Sequence, residues 1–156
     1  MNTPIMHTEP AHSDLTSARK AIMAVVARAT VPELSALETL AADAKILRAP
    51  EIGLVMVRGR IGGDGAAFNL GEATVTRAAL ALPGGEIGYG HVLGRDKDKA
   101  RLAALADALW QAPATREAVE AVLAPVRARL DAEVTLKRER AAATRVDFFT
   151  MVRGDN

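Results

Sequence analysis

The stretch that decides the fold is IGLVMVRGRIGGDG, residues 52–65. Its first ten residues, from Ile52 to Ile61, are rich in Ile, Val, Leu and Met, and they predict a β-strand that becomes basic at its end. The residues Gly62 to Gly65 follow, and a cluster of glycines between two apolar runs marks a turn. The stretch therefore predicts the first strand and the first turn of a β-hairpin.

Two more strands follow at short intervals. One is predicted over Phe68–Leu82 and, after a turn at Pro83–Gly85, another over Glu86–Leu93. Strands joined by short glycine-rich turns predict an antiparallel meander of three or more strands. Alternation along the last strand divides it into two opposite faces, with Ile87, Tyr89, His91 and Leu93 on one face and Gly88, Gly90 and Val92 on the other.

Helical periodicity precedes the strands. A first helix is predicted over Thr16–Ala29, where apolar residues recur at helical spacing. Thr30 and Glu33 form a capping box that starts a second helix, which is predicted to continue to about Ala44. Two short helices in succession predict an N-terminal helical hairpin.

Helical periodicity also follows the strands. Asp96 is a suitable N-cap for a helix that runs to about Ala112, and Thr115 is a suitable N-cap for a last helix. Pro125 lies inside that last helix and should kink or split it. The predicted fold class is α+β, with an antiparallel meander flanked by the N-terminal helical hairpin and the C-terminal helices.

Length and composition exclude several classes of protein. The 156 residues suit a single domain, and 20 basic against 19 acidic residues give a net charge of +1, which lends no support to nucleic-acid binding. The chain has no cysteine, and no spacing of other ligand types indicates a metal site. Because signal-peptide and transmembrane patterns are also missing, the sequence predicts a cytoplasmic protein that does not bind a membrane.

These patterns divide the chain into three regions. Residues 1–14 are polar and interrupted by proline, and they are predicted to be disordered. Residues 15–143 are predicted to form one α+β domain. Residues 144–156 are unusually apolar for a tail and are predicted to dock, either on their own domain or on another chain. The candidate docking residues in the tail are Asp147, Phe148, Phe149, Met151 and Arg153.

The first candidate ligand site is the basic turn after the first strand. Arg58 and Arg60 flank a glycine-rich segment that includes Gly62 and Gly63. Guanidinium groups match the oxygens of phosphate or phosphonate, and glycine N–H groups can converge on an anion. The alternative is an ordinary hairpin turn with solvated arginines, and the sequence leaves both interpretations open.

Further candidate ligand residues lie on the later strands. Glu72 and Thr74 share one face of the second strand with Thr76, whereas Arg77 has the opposite parity. His91 lies near the end of the third strand and is a further candidate, since histidine serves in both catalysis and binding. A polar row on a strand is also the normal solvent face of a half-buried sheet, and an isolated histidine is also a normal structural residue.

Several of these segments together resemble the PhnG family. The similar segments are PEIGLVMVRGRIGG (50–63), FNLGE (68–72), TVTR (74–77), VLGRD (92–96) and VDFFTMVRG (146–154). Their order and spread cover nearly the whole chain after the first dozen residues. The family resemblance implies a subunit of the bacterial carbon–phosphorus lyase system, which uses phosphonates as a source of phosphorus.

The resemblance also implies partners and a reaction. The implied partners are the H-, I- and J-type subunits, chiefly the I-type, and the implied reaction displaces adenine from MgATP by an alkylphosphonate. MgATP would be a substrate of the complex, and no cofactor is implied for this chain. The reacting groups are associated with the I-type subunit, and no catalytic residue can be assigned here. One alternative is a direct phosphate- or phosphonate-binding module that uses the turn from Arg58 to Gly65. Another is a free-standing homodimeric enzyme, in which the isolated chain forms a homodimer.

Overall fold

The structure is a computed structural model that describes residues 12–41, 43–62 and 64–144. Seven elements and one short 3₁₀ helix follow one another along the chain. They are α1 (His12–Arg28), α2 (Val31–Leu34), the 3₁₀ helix (Ser35–Leu40), β1 (Lys45–Arg60), β2 (Ala67–Ala81), β3 (Ile87–Leu93), α3 (Lys97–Gln111) and α4 (Pro113–Ala143). The predicted α+β class is confirmed.

The three strands form one antiparallel sheet in the order β1-β2-β3, as the meander predicts. β1 begins at Lys45, earlier than the predicted start at Ile52, and it continues through Pro50. The register shifts on both sides of Arg48, between Ile46 and Arg48 and between Arg48 and Glu51. A proline can be accommodated here because β1 is an edge strand, where irregular pairing tolerates a residue without an N–H group.

The helical segment before the sheet differs from its prediction in length. Thr30 and Glu33 form the predicted capping box, with the Thr30 N–H donating to Glu33 Oε2 over 2.7 Å. However, α2 has only four residues, and the chain continues as a 3₁₀ helix to Leu40. Ser35 and Thr39 each donate a hydroxyl hydrogen bond to the carbonyl three residues earlier. These local bonds compete with regular helix formation, so the prediction of one helix to Ala44 was wrong in its extent.

The last helix is longer and more continuous than predicted. α4 begins at Pro113, and its N-cap is Ala112, whereas Thr115 donates its hydroxyl hydrogen to Leu109 O over 2.6 Å. One helix extends through Pro125, so of the two predicted effects, a kink or a split, the split does not occur. Pro125 lies on the exposed side of α4, where water can hydrate the carbonyl that loses its donor. Buried residues on both sides of the proline hold the helix to the core: Val119, Leu123, Val126 and Leu130.

The core surrounds α3, which packs against the sheet and also against α1, α2, the 3₁₀ helix and α4. Gly88 and Gly90 of β3 face α3 so closely that a Cβ atom at either position would lie well under 3.0 Å from helix backbone atoms of Ala104 or Ala100. The glycine face of β3 is therefore the inner face. α3 is almost wholly buried, because α1, the 3₁₀ helix and α4 pack around it as well.

One charged group is buried in this interface. Asp107 of α3 is 1% exposed. Its carboxylate accepts two hydrogen bonds of 2.7 Å from the Arg19 guanidinium of α1 and one of 2.8 Å from the backbone N–H of Tyr89. This bidentate pair raises the pKa of Arg19 further. Asp107 therefore joins α1, α3 and β3 at one point.

The close approach of α3 and β3 predicts that Gly90→Ala is strongly destabilising. The added methyl group would meet helix backbone, which cannot rotate away, so we expect the free energy of unfolding to fall by about 3 kcal/mol. Gly53→Ala is the matched control, because a Cβ there would lie 3.9 Å from Arg77 Nη2, and we expect a change within about 1 kcal/mol. Chemical denaturation of both variants would test this, and equal stabilities would contradict it.

The buried Asp107 carboxylate predicts a second difference in stability between a variant and its control. Asp107→Ala leaves the Tyr89 N–H and the Arg19 guanidinium without their acceptor, and we expect a loss of about 3 kcal/mol. Glu133→Ala breaks two surface ion pairs, with Arg28 at 3.7 Å and Arg129 at 2.6 Å. Because exposed ion pairs contribute little, this control should lose less than about 1 kcal/mol. A comparable loss in both variants would show that Asp107 has no special role.

The capping box predicts a change in stability with pH. Hydrogen bonds from Arg129 and from the Thr30 N–H lower the pKa of Glu33 to about 2, from its usual value of 4.5. This carboxylate therefore stabilises the fold fully above pH 4.5, and the stabilisation disappears as the pH falls from 4.5 to 2. We expect the free energy of unfolding of Glu33→Gln to depend less on pH over that interval. Glu139→Gln, an exposed change near the end of α4, should keep the wild-type pH dependence, and identical acid profiles for both variants would contradict the prediction.

Candidate functional site: an apolar hairpin arm and an open sheet face

The hairpin of β1 and β2 extends beyond the third strand. The pairing of β2 with β3 ends at Val75 and Leu93, whereas β1 and β2 stay paired from Leu54 and Thr74 to Arg60 and Ala67. Residues 54–62 and 64–74, called the arm here, therefore form a two-stranded ribbon with no third strand among the described residues. An isolated two-stranded hairpin is only marginally stable in water.

The arm exposes large apolar side chains on both of its faces. Leu54 is 61% exposed and Leu70 63% exposed. Other exposed apolar side chains in the arm are Val55, Met56, Val57, Ile61 and Phe68. A contiguous exposed apolar surface of this kind marks an interaction site rather than an ordinary solvent face. In the part of the chain that the structure describes, no strand pairs with the outer edge of β1 in the arm, so the backbone groups of this edge can pair with another strand.

The tip of the arm is a self-contained turn. Gly62 has a φ of +62°, and the Gly65 N–H donates to Ile61 O over 3.1 Å. Arg60 donates from Nη1 to Gly65 O over 3.3 Å, so this guanidinium braces its own turn. Arg58 is exposed nearby, and Gly63 lies outside the described residues. The geometry at the tip matches the hairpin-turn interpretation of this segment.

The candidate residues on β2 lie on both sides of the point where this strand leaves the core. Glu72 and Thr74 lie in the arm opposite Met56 and Leu54. Thr76, the next residue of the same parity, is fully buried and donates its hydroxyl hydrogen to Gly94 O over 2.8 Å. The polar row therefore does not continue as one exposed surface.

Arg77 and His91 lie on the outer face of the sheet, away from α3. They are cross-strand partners in the pairing of β2 with β3. They line a cavity of about 410 Å³ together with Leu47, Arg48 and Tyr89. Arg58 pairs with Asn69, eight residues from Arg77 along β2, which is roughly 26 Å. The structure thus brings together Arg77 and His91 but keeps them apart from the arginines at the tip.

Leu47, Arg48 and Tyr89 were not among the candidates from the sequence. Arg48 was missed because β1 was expected to begin at Ile52, so residues 45–51 had no place in the sheet. The useful signal was the alternation along β3, which puts Tyr89 on the same face as His91. The two exposed neighbours of this pair on that face, Ile87 and Leu93, make the outer face apolar around the cavity.

Two kinds of feature are missing from the parts of the chain that the structure describes, which are residues 12–41, 43–62 and 64–144. In these parts, no helix combines the length and the apolar composition that a bilayer span requires. The same residues contain no group of three or more His, Cys, Asp or Glu side chains placed to hold a metal ion. The tail candidates Asp147, Phe148, Phe149, Met151 and Arg153 lie outside the described residues, and their docking stays a prediction.

Comparison with known proteins identifies the family. The family model described as phosphonate metabolism protein PhnG matches residues 17–154. A protein of Rhizobium meliloti (strain 1021), named alpha-D-ribose 1-methylphosphonate 5-triphosphate synthase subunit PhnG, is 58% identical over 142 residues, which cover 88% of this chain and 90% of that relative. Both matches confirm the resemblance seen in the motifs, and the chain belongs to the PhnG family of phosphonate metabolism proteins.

Proposed function

We propose that this chain is an accessory subunit of the carbon–phosphorus lyase core complex. In that role it supports transfer of the ribose-triphosphate moiety of MgATP to an alkylphosphonate. An oxygen of the phosphonate bonds to C1′ of the ribose as the bond from C1′ to adenine breaks, and adenine leaves. The name of the Rhizobium meliloti relative, a subunit of a ribose 1-methylphosphonate 5-triphosphate synthase, supports this assignment.

The observation that carries the proposal is the exposed apolar arm. The arm is apolar on the faces that carry Leu54, Met56 and Leu70, and no element among the described residues covers these side chains. Burying each such side chain in an interface is worth about 1.5–3 kcal/mol. A second chain that covers the arm would therefore stabilise both the ribbon and the assembly.

The partner that we assign to the arm is the I-type subunit. The H- and J-type subunits complete the complex. The open edge of β1 supports strand pairing as the mode of contact, because backbone hydrogen bonds add to the burial of alternate side chains. The reacting groups are assigned to the I-type subunit, and this chain holds that subunit in its assembled form.

The proposal predicts that charges on the arm prevent assembly. Leu54→Asp combined with Met56→Asp puts two carboxylates on a surface that would be buried, and we expect the association constant to fall at least about 100-fold. Both side chains are exposed, so the fold of the free chain should be retained, as circular dichroism can check. Leu136→Asp, at an exposed apolar residue on α4, is the matched control. Co-expression with the I-type subunit, followed by size-exclusion chromatography with mass determination, measures the outcome.

Three results would contradict the proposal. One is a folded wild-type chain that elutes without the I-type subunit. A second is co-elution of the doubly substituted chain at the wild-type level, which would move the interface away from the arm. The third is a mass equal to two copies of this chain with no I-type subunit, which would show that the arm serves a homodimer.

A further inference from the structure

The cavity on the outer sheet face contains more positive than negative charge. Arg77 Nη2 lies 3.0 Å from Glu51 Oε1, and Arg48 Nη1 lies 3.4 Å from the same oxygen. Two guanidinium groups therefore share one carboxylate. Arg48 and Arg77 both line the cavity and both remain about half exposed. The residual positive charge makes this face suitable for an anion.

Arg77 also has an unused donor. Its Nε atom is buried and has no hydrogen-bond acceptor among the described residues. The guanidinium lies over Gly53 of β1, where a Cβ atom would be 3.9 Å from Nη2. A buried donor without an acceptor is unfavourable. Because Nε is buried, an anion in the cavity would contact the rest of the half-exposed Arg77 guanidinium, whose charge strengthens hydrogen bonds to anionic oxygens.

The other walls of the cavity suit the rest of an organic molecule. His91 faces Arg77 across the β2–β3 pairing and supplies ring nitrogens, while Tyr89 and Leu47 supply apolar surface. The volume of about 410 Å³ lies within the range of small-molecule sites. The buried Asp107 carboxylate of α3 accepts the Tyr89 N–H, so this wall is tied to the core.

We propose that the cavity between Arg48, Arg77, Tyr89 and His91 binds a small organic oxyanion. The phosphate or phosphonate group would lie against Arg77 and Arg48, and the carbon-bearing part would lie against Tyr89 and Leu47. Glu51 competes with the ligand for both arginines and so limits its affinity. The site is independent of the docking role of the arm, and it is separate from the turn at Arg58–Gly65.

The test uses the full chain labelled with ¹⁵N and titrated at constant ionic strength. Inorganic phosphate, methylphosphonate and magnesium-free ATP are added in separate experiments, and backbone amide shifts are followed. We expect the amides near Arg48, Arg77 and His91 to move in a saturable way, and those of the arm tip to stay in place. Tightest binding of ATP would identify the ligand as a nucleotide, and tightest binding of methylphosphonate would identify it as a phosphonate.

Substitutions with opposite expected effects on the affinity make the test specific. Arg77→Gln should weaken binding about tenfold, and Arg48→Gln, on the exposed edge strand, repeats the test if the first variant does not fold. Glu51→Gln should tighten binding, because it removes the competing carboxylate. Arg138→Gln, an exposed change on α4, should leave the affinity unchanged. The proposal is overturned if none of the three anions moves the cavity amides, or if Arg77→Gln and Arg138→Gln bind alike.

Discussion

The contact between α3 and β3 is the constraint on which the rest of the structure depends. Gly88 and Gly90 present no side chain to the helix, so helix and strand approach backbone to backbone, with Ala100, Ala104 and Ala108 at the contact. With 3% aromatic residues, the chain builds its core mainly from Leu, Val and Ala. At the contact of α3 with β3, glycine and alanine let the two backbones approach, so the interface is close-packed. Asp107 then fixes the helix to the Tyr89 backbone and to Arg19.

The same contact decides what is left uncovered. Because the glycine face of β3 is the inner one, the larger side chains Ile87, Tyr89 and Leu93 project from the opposite face and are exposed. The other helices pack around α3, so within the described residues they add to the inner layer. The hairpin of β1 and β2 is longer than β3, and its far end becomes the arm. Exposed apolar surface is thus a consequence of how the core is built, and it belongs to a protein that acts in contact with others.

Two surfaces with different chemistry result. The arm is apolar with an open strand edge, which suits burial against a protein subunit. The cavity near Arg48 and Arg77 combines guanidinium groups with an apolar wall, which suits a small anion. They lie at different positions along the same two strands, so a ligand on the sheet face and a subunit on the arm would act on one continuous β-ribbon. In the proposed roles, the chain would in this way contact both a partner subunit and a phosphorus compound.

The sequence alone determined the α+β class, the meander, the capping box at Thr30 and the family, because alternation, turn glycines and ordered motifs are local in the chain. It could not determine which face of β3 is buried, since alternation separates the two faces without saying which one meets a helix, and the glycine face is inner because α3 approaches it so closely. It also missed Arg48, because the start of β1 depends on pairing with β2 and not on local propensity around Pro50. The continuity of α4 through Pro125 was likewise decided by the buried residues on both sides. Tertiary packing chose the sites because it alone decides which side chains meet and which remain exposed.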